Sequence, residues 1–378
     1  MFRVLIAIGQ TPFDPTSGAA QATLHLAELL AACGCEVRCL ATSGTEGVFH
    51  GVLPEGNFTE SGVKHCIIPV DPRKKHSWHH VAGRQYDGLY DDLLSGFRPD
   101  FVFTFGNETP DQSRRERALT AGAKVVFCLH NESYRNERPG NVTAFLSPSS
   151  YLAGVYEQAW ENRANPTILP TPMISGRIIA DTWEPVFVTF VNPQPAKGLW
   201  FMIRFAEQLG LHHPEIPLRI IEGRATAADF LAAAKSADID LQPFENLFFS
   251  PSTADVREIW GSTRILLAPA VWNEPAGRTP VEAMMNGAVP VVSNRGGLAG
   301  QLQRAGKVLP LPAHLTPESR HLPTAAEIGP WMDAVVSLCH DEEAFGQASD
   351  QARLEAECYS QASLAPRYLH FLRGLATG

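Results

Sequence analysis

The chain has 378 residues, a formal net charge of -9 and 44% apolar residues, values that exclude a collagen, a coiled coil and an intrinsically disordered chain. Its acidic balance disfavours a general nucleic-acid binder, because such proteins normally carry a basic surface. No stretch approaches the roughly 18–20 apolar residues of a membrane span, and the apolar run at residues 2–8 is too short for a signal peptide. The sequence therefore predicts a cytoplasmic protein of about two domains.

Short apolar runs alternate with longer amphipathic stretches along the chain. The apolar runs predict strands buried on both faces at residues 2–8, 36–41, 100–105, 124–129, 186–191, 218–222, 264–268 and 289–293. The amphipathic stretches predict helices at 19–33, 199–209, 226–236 and 281–286, and a helical tail over 341–375. Strand and helix in alternation are typical of α/β architecture with parallel sheets.

A proline-rich segment at residues 165–184 separates two halves of similar size. Each half has the pattern of a doubly wound sheet, in which ligands bind outside the carboxyl ends of the strands. We expect a first domain over 1–172, a second over 173–345, and a helical tail over 346–378 that is able to pack back on the first domain. Two such sheets facing one another would place their ligand-binding ends on either side of one cleft.

Seven scattered cysteines predict free thiols, since the cluster Cys33, Cys35 and Cys39 lacks a zinc spacing. No other group of residues indicates a metal site. The basic segment at residues 73–80 is compatible with an acceptor-binding loop or with a loop at a membrane surface. A simple solvated loop is the favoured interpretation of that segment.

The segment richest in candidate site residues runs from residue 264 to residue 297. Glu274 lies in the loop that follows a buried strand, where this fold places its ligands. Glu282 lies in the first turn of the next helix, and a carboxylate there can accept hydrogen bonds from two adjacent hydroxyls, as in a ribose. Helix-start amides near Gly277 and Arg278 are placed to meet a phosphate.

Each of these carboxylates also has a simpler interpretation. The sequence Thr279-Pro280-Val281-Glu282 fits a capping box, with Thr279 as the N-cap residue and Glu282 at the third helical position. Glu274 has no such local function, so its alternative is a solvated loop carboxylate.

Three further positions follow the carboxyl ends of predicted strands. Lys197, in a loop rich in proline and glycine, can act as a point charge for a phosphate, although a lone surface lysine is the simpler reading. The small-residue turn at Ser17 and Gly18 lets backbone amides approach an anion. His130 follows the strand at 124–129 and can hydrogen-bond a substrate hydroxyl, or it is an ordinary loop histidine.

Taken together, these residues resemble the GT-B glycosyltransferases, in particular the large retaining family 4. That family has an E-x7-E segment which is matched at Pro269, Glu274, Gly277, Glu282, Ala283, Gly287, Pro290, Val291, Val292, Gly296 and Gly297. Its "KG" pair is matched by Lys197-Gly198, and its N-terminal glycine loop more loosely by Ser17-Gly18. The resemblance implies two Rossmann-like domains that face a central cleft.

The resemblance also implies roles for the candidate residues. Glu282 would hold the donor ribose, and Glu274 would bind the hydroxyls of the transferred sugar. Lys197 and the Gly18 loop would hold the diphosphate, assisted by amides near Gly277 and Arg278. His130 would lie near the anomeric carbon, so His130 and Glu274 are the expected catalytic pair. The implied reaction transfers a sugar from a nucleoside diphosphate, UDP- or GDP-linked, with retention of stereochemistry and without a metal ion or other cofactor.

The sequence departs from the family pattern at the diphosphate site. Asn192 stands where the family has an arginine, Ser17 and Ala20 replace a glycine and a glutamate, and Arg278 follows the loop glycine. Arg278 or Arg224 would be the compensating cation. A sugar-nucleotide epimerase, a phosphorylase and a non-catalytic sugar-nucleotide-binding protein therefore remain alternatives. The acceptor, whether small molecule, glycan or lipid-linked, the oligomeric state and any contact with the inner face of a membrane stay open.

Overall fold

The computed structural model describes residues 1–45, 51–71 and 82–377, so the basic segment at 73–80 lies outside the described residues. The chain forms two compact units, one of residues 1–174 with 359–378 and the other of residues 175–358. The predicted boundary after residue 172 lies two residues before the observed one. The predicted tail is divided, because residues 346–358 belong to the second unit and the remainder belongs to the first.

The first unit contains an eight-stranded sheet in the order β3-β4-β2-β1-β5-β6-β7-β8. Its strands run parallel except β3, which pairs antiparallel with β4 across a tight turn. The strands are β1 (Arg3–Ala7), β2 (Glu36–Thr42), β3 (Gly56–Glu60), β4 (Val63–Ile68), β5 (Phe101–Thr104), β6 (Lys124–Cys128), β7 (Ala144–Ser147) and β8 (Thr167–Ile168). The described helices of this unit are Gly18–Ala32, Gly83–Asp92, Thr109–Thr120, Ser150–Ala159 and Gln361–Thr377.

The second unit contains a six-stranded parallel sheet in the order β11-β10-β9-β12-β13-β14. Its strands are β9 (Phe187–Val191), β10 (Leu218–Ile221), β11 (Leu247–Ser250), β12 (Thr263–Ala268), β13 (Val289–Ser293) and β14 (Lys307–Leu309). Its helices are Ser175–Ile178, Leu199–His212, Ala227–Ser236, Arg257–Trp260, Arg278–Asn286, Leu298–Leu302, Ala325–His340 and Glu342–Ala356. The predicted α/β class with two parallel, Rossmann-like sheets is confirmed.

The order of the strands decides where each unit can bind a ligand. In the second unit, successive strands extend the sheet outward from β9 on one side, and β12 then adds to its other side. β9 and β12 are hydrogen-bonded neighbours, so the loops after them flank the point at which the winding reverses. In doubly wound sheets this crevice is the usual ligand site. The corresponding point in the first unit lies between β1 and β5.

Each unit has its own apolar core. In the second unit, Trp331 is buried against Phe201 in an edge-to-face contact at 5.0 Å, and its indole N–H donates to the Pro310 carbonyl. In the first unit, the terminal helix buries Leu364, Tyr368 and Leu372 beside the sheet. The Tyr368 hydroxyl donates to the Pro170 carbonyl at 3.0 Å, which fixes that helix to the unit. All seven cysteines are free thiols.

None of the helices in the described part of the chain combines the length and the hydropathy that a membrane span requires. Within the described ranges, no group of three or more histidine, cysteine, aspartate or glutamate side chains is arranged to hold a metal ion.

Candidate functional site

The loops after β9 and β12 are joined by main-chain contacts. The amide of Val271 donates to the Ala196 carbonyl at 3.0 Å. Gly198 has a φ of +102°, and a Cβ on it would overlap the Pro269 carbonyl, so only glycine fits this close approach. The two loops therefore form one ligand-facing edge of the second unit.

Lys197 and Glu274 meet at this edge. Lys197 ends a 3₁₀ turn, Pro195–Lys197, and its Nζ forms a close ion pair with Glu274 Oε1. The Glu274 side chain is 11% exposed and the Lys197 side chain 31% exposed, so the pair is partly withdrawn from solvent but open on the lysine side. The sequence placed both residues after strand ends, and the sheet order brings them into contact.

A third loop fixes the backbone of Glu274. Its carbonyl accepts from the Gly297 amide at 2.6 Å, and Glu274 bridges to Gly296 as in a short parallel ladder. Gly296 has a φ of +64°, and a Cβ there would overlap the main chain of Glu274. Glycine at position 296 therefore allows the loop after β13 to pack directly against the Glu274 backbone.

Arg278 and Glu282 form the second charged pair of this region. Arg278 Nη2 donates to Glu282 Oε1 at 3.0 Å, one helical turn along Arg278–Asn286. Their side chains are 13% and 10% exposed. Arg278 Nη1 is buried and finds no acceptor within the described part of the chain. Burial lowers the pKa of Arg278, and the nearby Glu282 opposes that shift.

The alternative interpretation of Glu282 as part of a capping box is wrong. The helix begins at Arg278 with Gly277 as its N-cap residue, and no side chain caps it. Glu282 therefore lies beyond the first turn, and its carboxylate accepts from the Arg278 side chain instead of the main-chain amides of the helix start. A Cβ at position 277 would come within 2.5 Å of Leu298 Cδ2, so a larger residue there would require the Leu298 side chain to move.

Asn192 has a structural function at the end of β9. Its Oδ1 accepts from the amides of Arg224 and Ala225 at 3.0 and 3.4 Å, and its Nδ2 donates to Gln194. Its φ is +63°, a conformation that asparagine adopts more readily than most residues. This side chain ties the loops after β9 and β10 together.

Two predicted site residues belong to the first unit. Gly18 is the first residue of helix Gly18–Ala32, next to the N-cap residue Ser17, whose Oγ accepts from the Ala20 amide. His130 follows β6, and its ring meets Phe105 edge-on at 4.9 Å. Its Nε2 is buried, and none of the described residues bonds to it. Burial lowers the pKa of His130 to about 4, so its imidazole is neutral at neutral pH.

His130 lines a small cavity of the first unit, together with Thr23, Cys128 and Tyr368. The loop that follows His130 is held by aromatic residues: the Trp160 indole donates to the Tyr134 carbonyl, and the Tyr134 hydroxyl accepts from the Gly106 amide. Arg115, which is 1% exposed, donates to the carbonyls of Gly106 and Gly140 and closes the base of this loop. Arg115 could not be recognised from the sequence, because only its burial in the folded chain distinguishes it from other arginines.

The strand order of the second unit and the position of its charged loops are those of a doubly wound α/β domain, in which ligands bind where the winding reverses. Comparison with known proteins agrees: residues 179–309 match the family model of glycosyl transferases group 1. That match includes Lys197, Glu274, Gly277, Arg278 and Glu282. No curated protein sequence matches the chain.

Solved structures show the same fold over the whole chain. A glycosyltransferase from Rickettsia africae is 12% identical with a TM-score of 0.70, over 99% of this chain and 98% of that one. The sucrose-phosphate synthase of Thermosynechococcus elongatus is 13% identical with a TM-score of 0.71, over 99% of each chain. Anabaena HepE, solved in complex with UDP and glucose, is 15% identical with a TM-score of 0.67, over 99% of this chain and all of that one.

The chain therefore has the GT-B glycosyltransferase fold, and residues 179–309 of its second unit match the group 1 family model. The family match and the structural neighbours together support a glycosyltransferase.

Proposed function

We propose that this protein is a retaining glycosyltransferase of family 4, which moves a sugar from a nucleoside-diphosphate sugar to an acceptor hydroxyl without a metal ion. The ion pair between Lys197 and Glu274 is the observation that carries the proposal. It unites a phosphate-binding cation and a hydroxyl-binding carboxylate at the switch point of the sheet, inside the segment that matches the family model.

In this proposal, donor binding divides the ion pair between two parts of the ligand. Lys197 turns to the diphosphate, and Glu274 accepts hydrogen bonds from hydroxyls of the transferred sugar. Stabilisation of the leaving diphosphate by fixed cations and helix amides lowers the barrier to cleavage of the glycosidic bond. The Gly18 loop and the helix start at Gly277 supply further amides for the diphosphate.

Arg278 supplies a second cation at the diphosphate site, where Asn192 replaces the arginine of the family pattern. Asn192 is fully engaged in loop contacts, whereas Arg278 has a buried Nη1 that lacks an acceptor within the described ranges. An anion near this guanidinium would satisfy that donor. Glu282, already oriented by Arg278, would accept from the ribose hydroxyls.

His130 acts as a neutral hydrogen-bonding group near the anomeric carbon. Its lowered pKa, about 4, keeps its imidazole uncharged at neutral pH, so it is suited to a sugar hydroxyl and not to a phosphate.

UDP and GDP are the nucleotides we propose for the donor, and UDP-glucose is the first probe because HepE was solved in complex with it. The acceptor is a small molecule, a glycan or a lipid-linked glycan. We place the reaction in the cytoplasm, including its membrane face.

The test begins with binding of the purified chain to UDP, GDP, ADP, TDP and their common sugar conjugates, measured by thermal shift. A ligand at about 100 times its dissociation constant adds roughly 2.7 kcal/mol of stability. The nucleotide that binds is then used in transfer assays with an acceptor panel, with and without EDTA. The anomeric configuration of the product is read by NMR. We expect retention and no effect of EDTA.

Lys197→Met and Glu274→Gln should each reduce transfer at least 100-fold. Lys235→Met and Glu245→Gln, at exposed positions of the same unit, are the matched controls and should leave transfer unchanged. Isomerised sugar nucleotide would identify an epimerase, and dependence on inorganic phosphate a phosphorylase. Binding without turnover would leave a non-catalytic sugar-nucleotide-binding protein. The absence of nucleotide binding by the unaltered chain would refute the proposal.

A further inference from the structure

Trp272 lies beside the Lys197–Glu274 pair, and neither the family pattern nor the charges of the region account for it. Its backbone is fixed, since both its amide and that of Val271 point to the Ala196 carbonyl, at 3.4 and 3.0 Å. Trp272 therefore comes from the loop after β12 and is held against the loop that carries Lys197.

Besides the Glu274 carboxylate, the Trp272 indole ring also contacts the Lys197 ammonium. Lys197 Nζ lies 5.3 Å from the ring centroid, within the range of a cation–π interaction. A carboxylate attracts the ammonium and also neutralises it, whereas an aromatic face attracts the ammonium and leaves its charge available. When Glu274 turns to the sugar, Trp272 is the neighbour that still holds Lys197 in place.

The indole N–H shows that packing alone does not explain a tryptophan here. Trp272 Nε1 is buried and bonds to none of the residues that the structure describes. A buried donor without an acceptor costs stability. Phenylalanine would present an aromatic face without that cost, but tryptophan gives the strongest cation–π attraction.

We propose that Trp272 is a positioning residue, which holds the ammonium of Lys197 at the diphosphate of the donor through its indole face. This inference rests on the proposed function, and it adds a determinant of diphosphate affinity in the group 1 domain. It also explains why a tryptophan whose indole N–H bonds to none of the described residues is present next to the site.

The test compares Trp272→Phe, which keeps an aromatic face, with Trp272→Leu, which removes it. Calorimetric titration with UDP-glucose, or with whichever sugar nucleotide binds, should give affinities about 2–3-fold lower for the phenylalanine variant and about 10-fold lower for the leucine variant. Trp272→Phe should unfold at the same or higher urea concentration than the unaltered chain, because it loses a donor without an acceptor. If the leucine variant does not fold, Trp272→Met replaces it.

A double-mutant cycle separates positioning from general packing. In a Lys197→Gln background the leucine substitution should cost less than 2-fold in affinity, because the ammonium that the ring holds is gone. Reductive ¹³C-methylation of the lysines gives a readout that needs no nucleotide: the Lys197 methyl resonance should be shifted by the indole ring and lose that shift in Trp272→Leu.

Several results would overturn the inference. One is unchanged nucleotide affinity in Trp272→Leu, and another is an equal loss in the Lys197→Gln background. A third is a Lys197 resonance that does not respond to the substitution. In these cases the unaltered chain still binds nucleotide, so the proposed function stands. If the unaltered chain binds no nucleotide, both the proposed function and this inference fail.

Discussion

Replacement of Arg278 by methionine should destabilise the second unit strongly, since it leaves a buried carboxylate alone. Glu282 is 10% exposed, and Arg278 Nη2 is its charged partner at 3.0 Å. Removing one partner of a buried pair typically costs 3–5 kcal/mol, whereas an exposed pair is worth about 0–1 kcal/mol. Because both side chains keep some contact with solvent, we expect the lower end, about 3 kcal/mol, which is roughly a 150-fold shift in the folding equilibrium.

The assay is urea unfolding followed by tryptophan fluorescence. This signal reports mainly on the second unit, which holds Trp183, Trp200, Trp260, Trp272 and Trp331. The double variant Arg278→Met with Glu282→Met should recover most of the stability, since replacing both partners by apolar groups is often neutral.

Lys235→Met, at an exposed position of the second unit, is the matched control, and we expect it to change the free energy of unfolding by less than about 0.5 kcal/mol. Nucleotide binding should not recover in the double variant even though stability does. The reasoning is refuted if Arg278→Met unfolds at the same urea concentration as the unaltered chain, or if the double variant is no more stable than the single one.

Three further predictions follow from the geometry. Asn192→Arg should not raise nucleotide affinity and should lower the unfolding free energy by about 2 kcal/mol, because it breaks contacts to the amides of Arg224 and Ala225; higher affinity in calorimetry would contradict this. Gly296→Ala should displace Glu274 and abolish transfer in an activity assay, whereas Gly300→Ala, whose Cβ meets nothing within 4 Å, should retain it. For His130, the folded pKa of about 4 lies below the ordinary 6.5, so its contribution to stability is complete above pH 6.5 and is lost as pH falls toward 4. Urea unfolding at pH 7.5 and 5.0 should show this loss, His130→Gln should reduce it, and an NMR titration with an ordinary histidine pKa would refute it.

The sequence was sufficient for the parallel framework and for the strand ends that carry the site. Continuous apolar runs such as β1 and β12 are buried on both faces, which is why periodicity identified them. The sequence did not predict β3, β4, β7, β8, β11 and β14. Four of these strands, β3, β8, β11 and β14, contain no buried residue, so no buried apolar run marks them. β3 also departs from the parallel expectation, since the turn before β4 is too short for a crossover.

Sequence patterns gave wrong predictions at positions where contacts between distant residues determine the structure. Thr279 and Glu282 have the spacing of a capping box, but the helix starts earlier, at Arg278, and the Arg278 side chain pairs with Glu282. Asn192 appeared as a missing charge, whereas its position demands a positive φ and an acceptor for two amides. The positive φ and the two amides cannot be predicted from the residues around Asn192, because they depend on contact with the loop after β10.

The sequence predicted the charged residues at this edge of the second unit, but not that they pair with one another. Lys197 is paired with Glu274 and Arg278 with Glu282, so the four charges sum to zero before any ligand arrives. A diphosphate can gain a net attraction only if the carboxylates turn to other partners, and the hydroxyls of a sugar and a ribose are partners of that kind. A nucleoside diphosphate that lacks the sugar leaves Glu274 on Lys197, so it should bind more weakly than the intact sugar nucleotide. Calorimetry with UDP and UDP-glucose tests this coupling, and equal affinities would show that the carboxylate on Lys197 does not compete with the diphosphate.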